Sequence, residues 1–278
     1  MNRTARLPST LAALLALALA TAAAAKPVSV KGSDTMVILG QRWAEAYINT
    51  TPGQVVMVTG GGSGTGIAAL INGTTDICQA SRAMRPDEKL KLRDRYQTMG
   101  VETPVARDGV TIYVHGSNPV PSLTIAQVRD IYMGRVTNWK QVGGRDATIL
   151  LYGRENSSGT YGFFKEMVLA NRDFADRLQA LPGTSAVVNA VSKDPNGIGY
   201  GGAAYAKGVK EVPLKKDDGG APVLPSLASV SDGSYPLSRY LFFYTRQKPA
   251  GDVKKFVDWV LTPEGQKIVG AVGYYPLK

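Results

Sequence analysis

The 278-residue sequence holds one cysteine, Cys78, and one histidine, His115. A lone cysteine rules out an intramolecular disulfide. A lone histidine leaves no His/Cys metal cluster to assemble. It also confines any Ser-His-Asp arrangement to His115, which stands in no catalytic motif. Runs of like charge are missing too. No five consecutive lysines or arginines occur, so the formal net charge of +10 is dispersed rather than gathered into a nucleic-acid-binding tail. After residue 25 nothing is apolar over the roughly 20 residues that a spanning helix needs. Internal repeats and low-complexity tracts are absent from the same region.

What is present begins with a leader. Arg3 and Arg6 give a short positive region, residues 11–20 are only alanine and leucine, and alanines at 22–25 offer a small-residue cleavage site before Lys26. That is the pattern of a secretory signal peptide over 1–25, too short in its apolar part for a membrane anchor. No cysteine stands at the cleavage point, so a lipoprotein is not expected. Taking Arg3 and Arg6 from +10 leaves +8 for an exported, soluble, still basic chain. A basic balance is compatible with an anionic ligand, but a solvated surface explains it as well. Cys78 lies in an apolar stretch and reads as a small buried thiol rather than a nucleophile.

Short apolar strands alternate with amphipathic helices along the rest, the α/β signature. Strands are expected at 28–30, 55–58, 76–78, 110–114, 148–152, 198–200 and 240–245. Helices are expected after residue 35, with Met36, Leu39, Trp43, Ala46 and Tyr47 on one face, and around Ile67–Ile71. Others fall at 86–96, around Ile125–Ile131 and around Phe163–Val168 with Met167 inward. Two more close the chain, one carrying Val253, Phe256, Val257, Val260 and Leu261, the next Ile268, Val269 and Val272. The pattern implies two α/β lobes, the first interrupted by the second: 26–112 and 237–278 form one, 113–236 the other. Two crossing segments, near 105–117 and 236–246, would leave a ligand cleft between them.

Three strand-to-helix junctions carry polar residues. GGGSGTG at 60–66 lets the backbone approach a ligand closely, and Ser63 is placed to cap the helix that follows. It has neither the terminal lysine of a Walker A loop nor a G-x-G-x-x-G register. RENSSGT at 154–160 repeats the logic, with the planar fork of Arg154 and the hydroxyls of Ser158 and Thr160 at a helix start. GSDT at 32–35 is the third, and Ser81 and Arg82 follow the strand at 76–78. A helix N-terminus with unpaired N–H groups attracts anions. Each junction alone is equally well an ordinary capped helix. Together, with no catalytic dyad beside them, they favour binding over turnover, so an enzyme is not expected and no cofactor or metal is called for.

The chain resembles the phosphate-specific family of ABC-transporter substrate-binding proteins. The likeness runs through GSDTM (32–36), GGGSGTGIAALINGTTDI (60–77), ASRAM (80–84), ARDGV (106–110), GRENSSGTYGFF (153–164), NGIGY (196–200) and the PEGQ…GYYPL ending (263–277). It implies a type II periplasmic-binding-protein fold that holds inorganic phosphate between its lobes and delivers it to a membrane permease. The family's ligand contacts fall on Thr35, Met36 (through its backbone), Ser63, Arg154, Ser158, Gly159 and Thr160. Where well-known members place an aspartate that accepts the phosphate proton, this chain has Arg82, which either joins the expected ligand set or is a structural arginine on the cleft rim. Asp34 and Asp108 are the candidates for a substitute acceptor. The resemblance leaves two alternatives open, another tetrahedral oxyanion such as sulfate, prompted by Arg82, and an exported phosphatase. A periplasmic monomer, with no nucleic-acid partner, is expected.

Overall fold

A computed structural model describes residues 26–277. The expected leader at 1–25 lies outside the described residues. The strands are β1 (Val28–Gly32), β2 (Val56–Thr59), β3 (Ile77–Ala80), β4 (Val101–Val114), β5 (Leu123–Thr124), β6 (Leu150–Arg154), β7 (Gln179–Leu181), β8 (Gly197–Gly202), β9 (Lys210–Val212), β10 (Leu214–Lys215) and β11 (Ser238–Thr245). The helices are α1 (Val37–Thr50), α2 (Ser63–Asn72), α3 (Pro86–Tyr96), α4 (Ile125–Tyr132), α5 (Gly159–Met167), α6 (Thr184–Lys193), α7 (Leu227–Ser231), α8 (Gly251–Val260) and α9 (Pro263–Val272). This is a type II periplasmic-binding-protein architecture.

One sheet runs β2-β1-β3-β11-β4-β8-β6-β7, with β9 on β4. β1, β2 and β3 are mutually parallel, as are β6, β7 and β8, whereas β11 and β4 are antiparallel to their neighbours. The sheet therefore has a parallel part at each side and a pair of antiparallel strands through its middle. β4 changes partners along its length. Its first part pairs with β11 up to Gly109, and from Val110 it pairs with β8. Residues 101–109 carry Pro104, Arg107 and Asp108, which hide a strand from a reading of hydrophobic alternation. Pro104 pairs with Phe242 beside a register shift that falls between Leu241 and Phe242, the sort of irregularity where a residue without an N–H is tolerated.

Apolar packing forms two main clusters, the first of which also takes in Tyr113, Val187, Val191 and Tyr205 from beyond the change of partner. On one side Trp43, Tyr47, Phe243 and Phe256 pack under α1, α8 and α9, with Trp43 edge-on to Phe243 at 5.6 Å. Trp43 also donates its indole N–H to the Gly265 carbonyl at 2.8 Å. On the other side Phe164 stacks on Tyr200 at 3.9 Å, with Tyr132 edge-on to both. Stacks of this kind add to the burial of their ring area. The inward faces differ in detail from the simple helical wheel. Ala46, Ile268 and Val272 are half-buried, while Met167 and Leu261 are exposed. Cys78 is fully buried on β3 and burial pushes its thiol pKa up, so it is an inert core residue. No helix among the described residues is long and apolar enough to cross a membrane.

Candidate functional site

The ends of β1, β2, β3 and β6 bring their following loops to one place beside the central strands. Ser33 Oγ donates to Ser81 Oγ at 2.8 Å, and the Ser81 N–H donates to Ser63 Oγ at 3.1 Å. Thr35 Oγ1 and Thr160 Oγ1 share a hydrogen bond of 2.7 Å. Between these hydroxyls lies Gly159, where a Cβ would fall 2.2 Å from Ser63 Oγ and 2.6 Å from Ser81 Oγ. The Ser157 carbonyl accepts from Gly64 N at 2.8 Å, so the loop before α5 meets the first turn of α2 directly. Gly62, at φ 92°, has no room for a side chain, since a Cβ would stand 2.5 Å from that carbonyl oxygen. The glycine loop is thus shaped by the loop that faces it across the cleft.

Both helix starts present N–H groups with no acceptor inside their own helix, and the positive ends of two dipoles meet here. Their caps differ. Ser158 caps α5 as expected, its Oγ accepting from Tyr161 N at 3.2 Å. Ser63 does not cap α2: Gly62 takes the cap position without a side-chain bond, and Ser63 is the first helical residue. Its hydroxyl turns instead to Ser81, because the tight approach at Gly62 carries the chain past the cap geometry one residue early.

Two arginines flank the hydroxyls, each already paired. Arg154, 1% exposed, donates through Nη2 to Asp34 Oδ2 at 2.9 Å and through Nη1 to Thr184 Oγ1 at 2.8 Å. It also holds its neighbour Glu155 from Nε and Nη2. Arg239 donates to Asp108 Oδ2 from Nε at 3.0 Å and from Nη2 at 2.7 Å, to the Ser81 carbonyl from Nη1 at 2.8 Å, and to Thr160 Oγ1 from Nη2 at 3.0 Å. The site is therefore not a pool of uncompensated positive charge. It is a set of hydroxyl and backbone donors backed by two neutralised guanidinium groups. Buried pairs of this kind add little to net stability because both ions lose hydration, so stability alone does not account for two of them here. Tyr205 OH donates to the Asp34 carbonyl at 2.7 Å, and Tyr274 OH donates to the Thr35 carbonyl. Burial pushes Tyr205 up to about 12 and Tyr274 well above its ordinary value, so both remain neutral donors.

Thr35, Ser63, Gly159 and Thr160 converge, with Ser158 and Arg154 at their border. Met36 is fully buried, and its N–H donates to the Ser33 carbonyl at 3.0 Å. The structure does not bring Arg82 to the cluster. Its guanidinium forms a two-pronged pair with Glu88 at 2.8 and 2.7 Å and also holds the Ala83 carbonyl. Glu88, in the first turn of α3, accepts from Arg85 N as well, so the acid is fixed where it draws Arg82 away. The two acceptor candidates also separate. Asp34 uses both oxygens, Oδ1 on Gly61 N and Oδ2 on Arg154. Asp108 is fully buried and uses only Oδ2, while its Oδ1 has no hydrogen-bond partner among the described residues. Arg239, Thr184 and Tyr205 carry no local motif, and Tyr274, although inside the GYYPL ending, carries nothing there that marks a site residue. Arg239 reaches the site only because β11 runs beside β4 with Arg239 opposite Asp108.

Comparison with known proteins follows the same lines. A PBP superfamily domain matches residues 18–264. The phosphate-binding protein PstS of Pseudomonas aeruginosa is 35% identical over 267 residues, covering 90% of this chain and 83% of that protein. PstS of Staphylococcus epidermidis is 35% identical over 249 residues, covering 85% and 74%. A structure from Clostridium perfringens, named as a phosphate ABC transporter substrate-binding protein with bound phosphate, superposes with a TM-score of 0.82. Its identity is 30%, covering 91% of this chain and 100% of that one. An ABC-type phosphate transport receptor from Vibrio cholerae gives 0.72 at 29% identity, covering 89% and 99%.

Proposed function

This chain belongs to the PBP superfamily, among its phosphate ABC transporter substrate-binding proteins, and we propose that it captures inorganic phosphate and passes it to a membrane ABC permease. The observation that carries the reading is the convergence of Thr35, Ser63, Ser81 and Thr160 between two helix N-termini, with Arg154 at the edge. A tetrahedral oxyanion needs many donors from several directions, and this arrangement supplies hydroxyls, N–H groups and a guanidinium from both sides of the cleft. The ligand set is Thr35, Met36 (backbone), Ser63, Arg154, Ser158, Gly159 and Thr160. Arg82, held by Glu88, is left out of it.

In this reading, residues 26–112 and 237–278 form one lobe and 113–236 the other. The lobes swing about β4 and β11, and the bound anion favours the closed form because only there do both sets of donors reach it. Export by the 1–25 leader places the mature monomer in the periplasm. Binding without turnover is the reading that the hydroxyls and paired arginines support, and a chromogenic phosphate ester tests it, since turnover above background would overturn it. Isothermal titration of the mature protein with phosphate gives saturable one-to-one binding; no heat of binding sinks the reading.

Selectivity for phosphate over sulfate requires an acceptor for the phosphate proton, which sulfate lacks at neutral pH. Asp108 Oδ1 fits that role better than Asp34, because its oxygen is the one with no partner among the described residues. Arg82, turned to Glu88, lends no support to a sulfate site. Asp108→Asn is expected to narrow the phosphate-to-sulfate affinity ratio by at least about tenfold, the scale of one lost charged hydrogen bond. Competition titrations measure that ratio, and an unchanged value removes Asp108 from the acceptor role.

A further inference from the structure

Arg239 stands on a central strand, outside every loop that the sequence marks, yet its guanidinium touches three separate parts of the molecule. It holds Asp108 on β4, the Ser81 carbonyl at the end of β3, and the Thr160 hydroxyl in the first turn of α5. Phe163 covers its face, with Cζ 5.2 Å from the ring centre, so its plane is fixed. A guanidinium carries five N–H groups. Nε, both hydrogens of Nη2 and one of Nη1 are used, which leaves one Nη1 hydrogen on the edge facing away from Asp108. A strand-to-strand ion pair alone would need neither Thr160 nor Ser81.

Resting on the phosphate reading above, we propose that Arg239 is the second recognition arginine of the anion site and donates to the bound oxyanion from the hinge. Asp108 is its positioning residue. By binding Arg239 through Oδ2 alone, it fixes the guanidinium with Nη2 on the Thr160 hydroxyl and Nη1 on the Ser81 carbonyl, and it neutralises the charge that the site would otherwise carry when empty. The two arginines then have separate duties. Arg154 approaches from the far lobe and engages on closure. Arg239 is held before it by Asp108 and the Ser81 carbonyl of its own lobe, with Thr160 and Phe163 reaching it as the lobes shut. Phosphate therefore meets one oriented arginine in the open cleft and the other as the lobes shut.

The test is calorimetric titration of phosphate into wild type, Arg239→Gln and Arg239→Lys, with circular dichroism melts of each protein. Arg239→Gln is expected to bind at least about tenfold more weakly, with Arg239→Lys between it and wild type because the charge is kept and the fork lost. Removing the arginine alone strands Asp108 as a buried charge and threatens the fold. The same change is therefore also made in Asp108→Asn, and Asp108→Asn/Arg239→Met is compared with Asp108→Asn alone, again with at least about a tenfold loss expected. Affinity within twofold of the parent in either folded background overturns the proposal while leaving phosphate binding intact. Wild type that fails to bind phosphate overturns both.

Discussion

Arg154 and Arg239 are both buried and both paired with an aspartate, and each also bonds a threonine hydroxyl, Thr184 for the first and Thr160 for the second. They are anchored in opposite ways. Arg154 extends from the end of β6 to Asp34, which belongs to the junction between β1 and α1 on the other side of the cleft. Arg239 lies against Asp108 on the strand beside its own, in direct cross-strand register. On the two-lobe reading proposed above, the first pair exists only while the two sides touch. The second is built into neighbouring strands and persists whatever the distance between the sides. An anion clamp needs both kinds of contact, one to hold the ligand's place and one to register that the jaws have met.

Removing the closure-dependent arginine has the largest expected effect. Arg154→Ala strips the guanidinium and leaves Asp34 and Glu155 without their cation, so phosphate affinity falls by about 2–5 kcal/mol, the range for truncating one partner of a buried charged pair. Calorimetry reads the loss directly, and an affinity within a factor of two of wild type removes Arg154 from the site. Next comes Gly159→Ala. Its added methyl would sit 2.2 Å from Ser63 Oγ, so the two sides cannot approach as they do now. Binding is expected to weaken at least about tenfold, and the melting temperature in the absence of phosphate should hardly move, because the contact lies between lobes rather than in either core. A large drop in melting temperature would mean instead that the cleft contact is part of the core.

How much of this was visible in the sequence follows the same division. The loops at 60–66 and 154–160 were legible because glycine, serine and threonine at strand-to-helix junctions have a local physical meaning. The helix Pro86–Tyr96 was legible to the residue, since Pro86 and the charged face mark it. Arg239 was not, because its role depends on which strand lies beside β11, a matter of topology with no local signature. β4 was seen only in its last five residues for a related reason: Pro104, Arg107 and Asp108 look like a loop until their strand partners are known. For Arg82 the motif position alone left a ligand and a structural arginine on the cleft rim both open. Six residues further on, Glu88 supplies a better partner than the cleft does. Likewise Ser63 looked like a cap until the opposing loop at Ser157 showed why glycine takes that position.

Asp34→Asn tests the latch without removing an arginine. The side chain keeps its size and can still accept from Gly61 N, but the ionic bond across the cleft is lost. The phosphate-free protein is expected to spend more time open, seen as a larger radius of gyration in X-ray scattering. Phosphate affinity should fall by about 1.5–3 kcal/mol. Tighter phosphate binding in this variant would break the comparison in an informative way: it would mean that Asp34 competes with the anion for Arg154 rather than orienting it.

The two threonines give the finest test. Thr35 Oγ1 bonds only Thr160, whereas Thr160 Oγ1 bonds both Thr35 and Arg239. Replacing either by valine removes a hydroxyl at nearly constant volume, but the consequences are unequal. Thr35→Val loses a neutral hydrogen bond worth about 0.5–1.5 kcal/mol, while Thr160→Val also leaves a guanidinium N–H unpaired, at about 1.5–3 kcal/mol. Phosphate titration of both variants is expected to rank Thr160→Val as the weaker binder. If the order reverses, the link from the hinge arginine to the far lobe through Thr160 is not what aligns the site, and Arg239 belongs with the strands alone.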